Sequence, residues 1–263
     1  MLIMDNKNLS HILCSVDNGI LNIRLNRPKN KNAITISMYK DLIKILHESI
    51  HNSTIYIVTL TGNGSFFSSG NDFKSSLTRQ NQGDFDIESI INVFKEFIEM
   101  LIRYPKLLIA IVNGPAIGIA VTMLPLFDIV YAADSAYFET PFTRLGLSAE
   151  GCSTYTFPNI FGKSKASEML YLGYKMSALE AKHYGFINEV YKDQNLDEVW
   201  TYLKKLTKLS LESISAIKCL VNRWNQDILL KVNEEEITEL IKRLQSPDCI
   251  KRLISVILHK NKL

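Results

Sequence analysis

The chain has 263 residues, 46% of them hydrophobic and 22% charged, with a net charge of +3 and a pI near 8.5. That length can bury one large core, and the charge excess is too mild to argue for a nucleic-acid partner. Cys14, Cys152, Cys219 and Cys249 are scattered and read as free thiols of a reducing compartment rather than a disulfide or zinc framework. No apolar run reaches the ~18 residues of a membrane span, and residues 1–10 carry no apolar signal core.

Residues 19–25 predict a strand, with Leu21, Ile23 and Leu25 alternating against Asn22 and Arg24. Arg27-Pro28-Lys29-Asn30-Lys31-Asn32 breaks it with a polar loop. Residues 37–49 place Met38, Leu42, Ile45 and Leu46 at helical spacing, with Ser37 as the expected N-cap. The β-branched run 55–60 reads as a buried strand, closed by the Gly62-Asn63-Gly64 turn. Residues 80–86 are polar, and 87–101 form an amphipathic helix whose stripe includes Ile87, Ile90, Phe94 and Phe97. That stripe suits the core and can also floor an apolar tunnel. Strands follow at 107–112 and 129–132, separated by a compact apolar helix at 118–126. Helices are expected at 164–172, 177–184, 197–209, 214–222 and 233–244, the last acidic at its start as its dipole favours. This order predicts an α/β core followed by a C-terminal helical region, which must bury its apolar face on the core or on another subunit.

Two glycine-bearing turns carry the chemistry. They are Phe67-Ser68-Ser69-Gly70-Asn71-Asp72 and Asn113-Gly114-Pro115-Ala116-Ile117-Gly118-Ile119. Each follows an apolar strand-like run and can present backbone N–H groups at a strand end. Two such donors can hold a developing oxyanion, and a carboxylate facing them can move a proton beside the stabilised carbonyl. Glu150, in Leu147-Ser148-Ala149-Glu150-Gly151-Cys152-Ser153, is the candidate carboxylate. The set points to enolate chemistry on an acyl compound. Ser68 and Ser69 sit in no Gly-x-Ser-x-Gly elbow, which argues against a nucleophile. The five histidines show no metal spacing. Asp72 is expected to orient the first turn through backbone N–H groups, and Asn71 stands between that role and a direct one.

Leu25-Asn26-Arg27-Pro28-Lys29-Asn30-Lys31-Asn32-Ala33, the Ser68-Ser69-Gly70-Asn71-Asp72 turn, Asn113-Gly114-Pro115-Ala116 and Phe127-Asp128 resemble the crotonase (enoyl-CoA hydratase/isomerase) superfamily, in order from about residue 10 to the C-terminus. Ser69-Gly70-Asn71-Asp72, Thr140-Pro141-Phe142 and Glu150-Gly151-Cys152-Ser153-Thr154-Tyr155-Thr156-Phe157-Pro158 are similar to its peroxisomal Δ3,Δ2-enoyl-CoA isomerase group. The resemblance implies a spiral of ββα units over 10–205 holding an acyl-CoA site. It also implies a helical trimerisation region over 206–263, giving a homotrimer or hexamer. The short stretch ahead of residue 10 is expected to leave no room for the acyl-CoA-binding domain that some relatives carry there.

The resemblance places the thioester oxygen between the N–H groups of Ser69 and Ile119, with Gly70 and Gly118 letting the ligand approach. Ser68, Asn71 and Asp72 belong to the same substrate-binding turn, and Lys29, Lys31 and Lys74 are candidates for the CoA phosphates. CoA is part of the substrate, and no metal or other cofactor is implied. Aligned on Asn113-Gly114-Pro115, Thr122 and Phe142 stand where hydratases carry two glutamates. Neither can act as a base, and Phe142 is expected to keep water out. Glu150 matches the isomerase group's single carboxylate, moving a proton from C2 to C4 of a 3-enoyl-CoA in the β-oxidation of unsaturated fatty acids. An apolar pocket with Phe142 and Phe157 would raise its pKa and a helix start near Ser148 would lower it; the residues leave the balance open. The alternatives are a dienoyl-CoA isomerase, a weak hydratase, or a non-catalytic CoA-binding scaffold such as occurs in chromatin corepressors. Asn261-Lys262-Leu263 is one residue from the Ser-Lys-Leu address. It implies a peroxisomal import receptor and matrix location, with cytosol or mitochondrion as alternatives.

Overall fold

Two antiparallel strands, β1 (Ile12–Asp17) and β2 (Ile20–Leu25), open the computed structural model, which describes residues 11–73, 87–192 and 195–260. Lys74, the polar run 80–86 and Asn261-Lys262-Leu263 lie outside the described residues. Strands β3 (Ile57–Gly62), β4 (Leu107–Val112), β6 (Ile129–Ala133) and β9 (Glu189–Tyr191) continue the first sheet in parallel, giving the order β1-β2-β3-β4-β6-β9. Every residue of β3 is buried, as a parallel strand covered on both faces requires. A second, three-stranded sheet joins β5 (Ala116–Ile117), β7 (Tyr137–Glu139) and β8 (Met176–Ser177). The expected α/β core is present. The strands that sequence alone did not suggest are β1, which has one buried side chain, and the two- or three-residue strands β5, β7, β8 and β9.

Helix α1 (Ile36–Ile50) buries Met38, Tyr39, Leu42, Ile45 and Leu46 against α2 (Ile87–Arg103), whose Phe94, Phe97 and Ile98 face it. Its N-cap is Thr35, not Ser37: the Thr35 hydroxyl accepts the Met38 N–H at 3.3 Å. The preceding residue explains the shift. Ile34 exchanges backbone bonds with Gly70 and Asp72 (2.9 Å each), so the chain stays extended to 34 and turns immediately after.

The apolar stretch after Gly118 is a short helix, α3 (Ile119–Thr122), followed by a 3₁₀ turn (Leu124–Leu126). Another short helix, α4 (Phe142–Leu145), precedes α5 (Ser153–Leu172), which begins far upstream of the expected residue 164. Pro158 and Gly162 act as breakers in the sequence, yet the helix carries Pro158 and turns through a kink at Gly162 (φ 73°, ψ 157°). Helices α6 (Ala178–His183), α7 (Leu196–Leu206), α8 (Leu211–Asn222), α9 (Gln226–Leu244) and α10 (Pro247–Lys260) complete the chain. α9 packs on α2, while α8 leaves Ile217, Leu220 and Val221 exposed beside Trp224. No described helix is long and apolar enough to cross a membrane.

Candidate active site

The Arg27–Asn32 loop is the frame on which the first turn is built. Lys31 and Asn32 both adopt left-handed backbone (φ 53° and 52°), which turns the buried Asn32 amide inward. That amide donates to the carbonyls of Asn63 (2.9 Å) and Phe66 (2.7 Å) and accepts the Arg27 N–H at 2.9 Å. Ser68 is fully buried; its hydroxyl donates to the Asn32 carbonyl (2.8 Å) and accepts the Gly70 N–H (3.1 Å). Both its donor and an acceptor site are therefore engaged in shaping the turn. The Ser69 N–H donates to the Lys31 carbonyl at 2.9 Å. Lys29 and Lys31 lie exposed on the outer side of this loop, with the Lys31 ammonium 5.0 Å from the centre of the Phe66 ring.

The second turn is tied to the first by the Ile117 N–H, which donates to the Ser68 carbonyl at 3.0 Å. Gly70 has φ +84°, and a Cβ there would stand 2.6 Å from the Ile117 carbonyl oxygen. Backbone strain and a backbone clash therefore coincide. Gly70→Ala should lower stability by roughly 2 kcal/mol or more, read as a lower urea midpoint. An unchanged midpoint would show that the two turns can separate without cost. Gly118 also needs a positive φ (61°, with ψ −126°), but a Cβ there would meet nothing within 4 Å. Open space thus faces the start of α3, where the Ile119 N–H, as the first of the helix, has no intrahelical acceptor.

Glu150 lies in the turn before α5, with 4% of its surface exposed. Its main chain is pinned by Ser153, whose hydroxyl donates to the Glu150 carbonyl at 2.7 Å. The Asn71 amide nitrogen straddles its carboxylate, 3.2 Å from Oε1 and 3.3 Å from Oε2. The Asn71 carbonyl oxygen in turn accepts the Tyr39 hydroxyl at 2.6 Å. A second buried carboxylate, Glu236 on α9, accepts the Cys152 N–H (2.7 Å), the Thr154 N–H (2.9 Å) and the Thr154 hydroxyl (2.6 Å). Cys152, in left-handed backbone, gives α5 no side-chain cap, so Glu236 caps that helix from across the molecule.

These contacts close the open balance at Glu150. Burial, joined by the charge of Glu236, pushes its carboxyl up to about 8 against the lowering bond from Asn71. The helix start is Ser153, not Ser148, and two of the N–H groups there are occupied by Glu236, which leaves little helix-dipole help for Glu150.

The carboxylate faces a cavity of about 860 Å³, open mouth included. Ile34, Ile36, Phe73, Ile87, Ile90 and Phe94 form much of its wall. Leu240, Leu244, Ile250 and Leu253 from α9 and α10 complete it. A division at 205/206 therefore does not separate the site from the C-terminal helices. Tyr39, Asn71, Asp72 and Glu150 supply its polar end. Asp72 is held by an ion pair, its Oδ2 2.8 Å from Arg27 Nη1, which also donates to the Ala33 carbonyl at 2.6 Å. Asp72 is thereby tied to the frame loop. Phe142 does not line this cavity: it is buried beside a neighbouring one with Leu147, Ser148, Ala149 and Pro158. Phe157 packs into an aromatic cluster with Phe161 and Phe186. Thr122 is buried, and its hydroxyl has no hydrogen-bond partner among the described residues.

Tyr39 and Glu236 escaped the sequence reading. Tyr39 sits on the apolar stripe of α1 and passes for core. Glu236 is one of three consecutive glutamates, but it alone continues the buried spacing Asn233, Glu236, Ile237, Leu240. A carboxylate on an apolar stripe was the available signal.

A family model described as enoyl-CoA hydratase/isomerase matches residues 15–256. The chain is 44% identical over 257 residues to rat enoyl-CoA delta isomerase 2, covering 96% of this chain but 64% of the rat protein. It is 39% identical over 252 residues to mouse "Enoyl-CoA delta isomerase 3, peroxisomal", covering 95% of this chain and 79% of that one. The crystal structure of an enoyl-CoA hydratase/isomerase from Pseudoalteromonas atlantica superposes with a TM-score of 0.86 at 28% identity, over 95% of this chain and 98% of that one. The crotonase-type fold that the resemblance implied is thereby established, and the chain belongs to the enoyl-CoA hydratase/isomerase family.

Proposed function

We propose that the protein is an enoyl-CoA isomerase that converts 3-enoyl-CoA to 2-trans-enoyl-CoA in the β-oxidation of unsaturated fatty acids. One observation carries this: of the two carboxylates lining the apolar cavity among the described residues, Asp72 is paired with Arg27, and Glu150 is the one whose pKa is raised, which makes its carboxylate the stronger base. Ionised Glu150 takes a proton from C2. The electron pair delocalises toward the thioester oxygen, where the N–H groups of Ile119 and Ser69 are the proposed donors. Protonated Glu150 then returns the proton at C4. The Ser69 N–H must share or release its Lys31 bond to take part. Addition of water by the two-glutamate route is disfavoured because Thr122 and Phe142 occupy those places.

The exposed apolar face of α8 with Trp224 supports self-association as a trimer or hexamer. The name of the mouse relative and the terminal tripeptide support a peroxisomal location and import receptor. The test is turnover by the purified protein. With a 3-enoyl-CoA substrate, conjugated 2-trans-enoyl-CoA should accumulate, and with 2-trans-enoyl-CoA supplied directly 3-hydroxyacyl-CoA should form at least about 100-fold more slowly, the scale of one missing acid–base group. Hydration of supplied 2-trans-enoyl-CoA with no turnover of 3-enoyl-CoA would make it a hydratase. Binding of the CoA ester without turnover would make it a binding module.

A further inference from the structure

We infer that Tyr39 is a positioning residue for Glu150: its hydroxyl holds the Asn71 side chain so that the amide NH₂, and not the amide oxygen, stays on the carboxylate. An asparagine amide has a donor end and an acceptor end of nearly the same shape. An ionised carboxylate can accept only from the NH₂ end, whereas a protonated carboxyl can donate to the oxygen end. The backbone of Asn71 is fixed by its bridge to Ile34, so its side chain chooses between these two arrangements by rotation of the amide. Tyr39 settles the choice by donating to Oδ1 at 2.6 Å. The phenol itself cannot turn away. It is 1% exposed, and its ring is clamped by Phe94 and Phe97 with centroids 5.6 and 5.1 Å distant. Burial, and then the charge of Glu150, push its ionisation well above the ordinary phenol range, so it remains a donor.

Few other groups compete for control. Glu236 on α9 raises the Glu150 carboxyl; Asp72 is neutralised by Arg27; burial keeps the Cys152 thiol protonated. α2 and α10 present Ile90, Phe94, Ile250 and Leu253 to the cavity. The Tyr39–Asn71 pair is thus the principal hydrogen-bonded support of the ionised base. It also keeps the protonated form from settling on an amide oxygen, which leaves that proton available to the substrate.

The test is a direct titration of Glu150 in Tyr39→Phe, by infrared difference against the matching Glu150→Gln protein. It does not rest on the isomerase assignment, although the catalytic consequence does. The protonated-carboxyl band should persist about one pH unit higher than in wild type. With 3-fluorotyrosine at position 39, a stronger donor of nearly native size, the midpoint should move below the wild-type value. In turnover, the acid limb of kcat/KM should shift with the titration, with near-normal rates restored above it. An unmoved midpoint in either protein overturns the inference, as does a rate loss uniform across pH. Should the Phe protein fail to fold, the 3-fluorotyrosine protein decides alone. If the midpoints move as expected but no 3-enoyl-CoA turns over, the positioning role stands and the isomerase assignment falls.

Discussion

Glu150→Gln is expected to lose at least about 100-fold in kcat on a 3-enoyl-CoA substrate, the size associated with one general base. The exchange keeps nearly the same volume, and the Gln oxygen can still accept the Asn71 amide that now spans both carboxylate oxygens. Only the capacity to take and return a proton is removed. KM should change little, because the apolar wall that would hold an acyl chain is untouched. The pH profile supplies an internal check. With the carboxyl of the free protein pushed up to about 8, wild-type kcat/KM should rise about tenfold per pH unit below that point and level above it. The residual activity of Glu150→Gln should lack this limb. A mutant within a few-fold of wild type would remove Glu150 from the chemistry, and the place to look next would be Asp72.

The two turns and the carboxylate were legible because their chemistry is local. A Gly at position 70 or 118 signals backbone that must turn or be approached closely, and both residues do adopt positive φ. The long amphipathic elements were legible for a related reason: a stripe such as that of α2 repeats over four turns. What could not be read depends on pairs distant in sequence. Glu236 and Cys152 are brought together only when α9 crosses the start of α5, and Arg27 meets Asp72 only when the loop after β2 lies against the turn after β3. Neither pairing shows in local spacing.

The helix start before Glu150 failed to announce itself for a different reason. Its cap is supplied by a residue some eighty positions away, so no Ser, Thr or Asp stands at the N-cap, and Pro158 and Gly162 disguise the interior. The direction of the Glu150 pKa was undecidable until that start was located. Moving it from Ser148 to Ser153 takes away the one lowering influence that the sequence offered. The lowering influence actually present, Asn71, was visible only as a residue of uncertain role.

The same raised carboxyl makes the stability of the fold depend on pH, with a sign that distinguishes it from ordinary acid sensitivity. Between the usual 4.5 and about 8, native Glu150 keeps a proton that the unfolded chain has released. Stability from this group is therefore complete below about 4.5 and is lost as pH rises through about 8. Glu150→Gln carries no such cost, so it should gain on wild type by a few kcal/mol between pH 5 and pH 9. Melting temperatures of both proteins at pH 5, 7 and 9 would measure the gap. It should widen across that range and stop widening once wild-type Glu150 is fully ionised. Parallel curves would mean that the carboxylate is solvated in solution and that burial does not govern its charge. Glu236→Gln separates the two causes. It should bring the Glu150 midpoint down by removing a neighbouring negative charge, while lowering overall stability because the Cys152 and Thr154 N–H groups lose a charged acceptor. A buried acid that is costly to charge is what the proposed proton shuttle requires: on that proposal, the environment that raises the Glu150 carboxyl would also let it hold and return a proton near neutral pH.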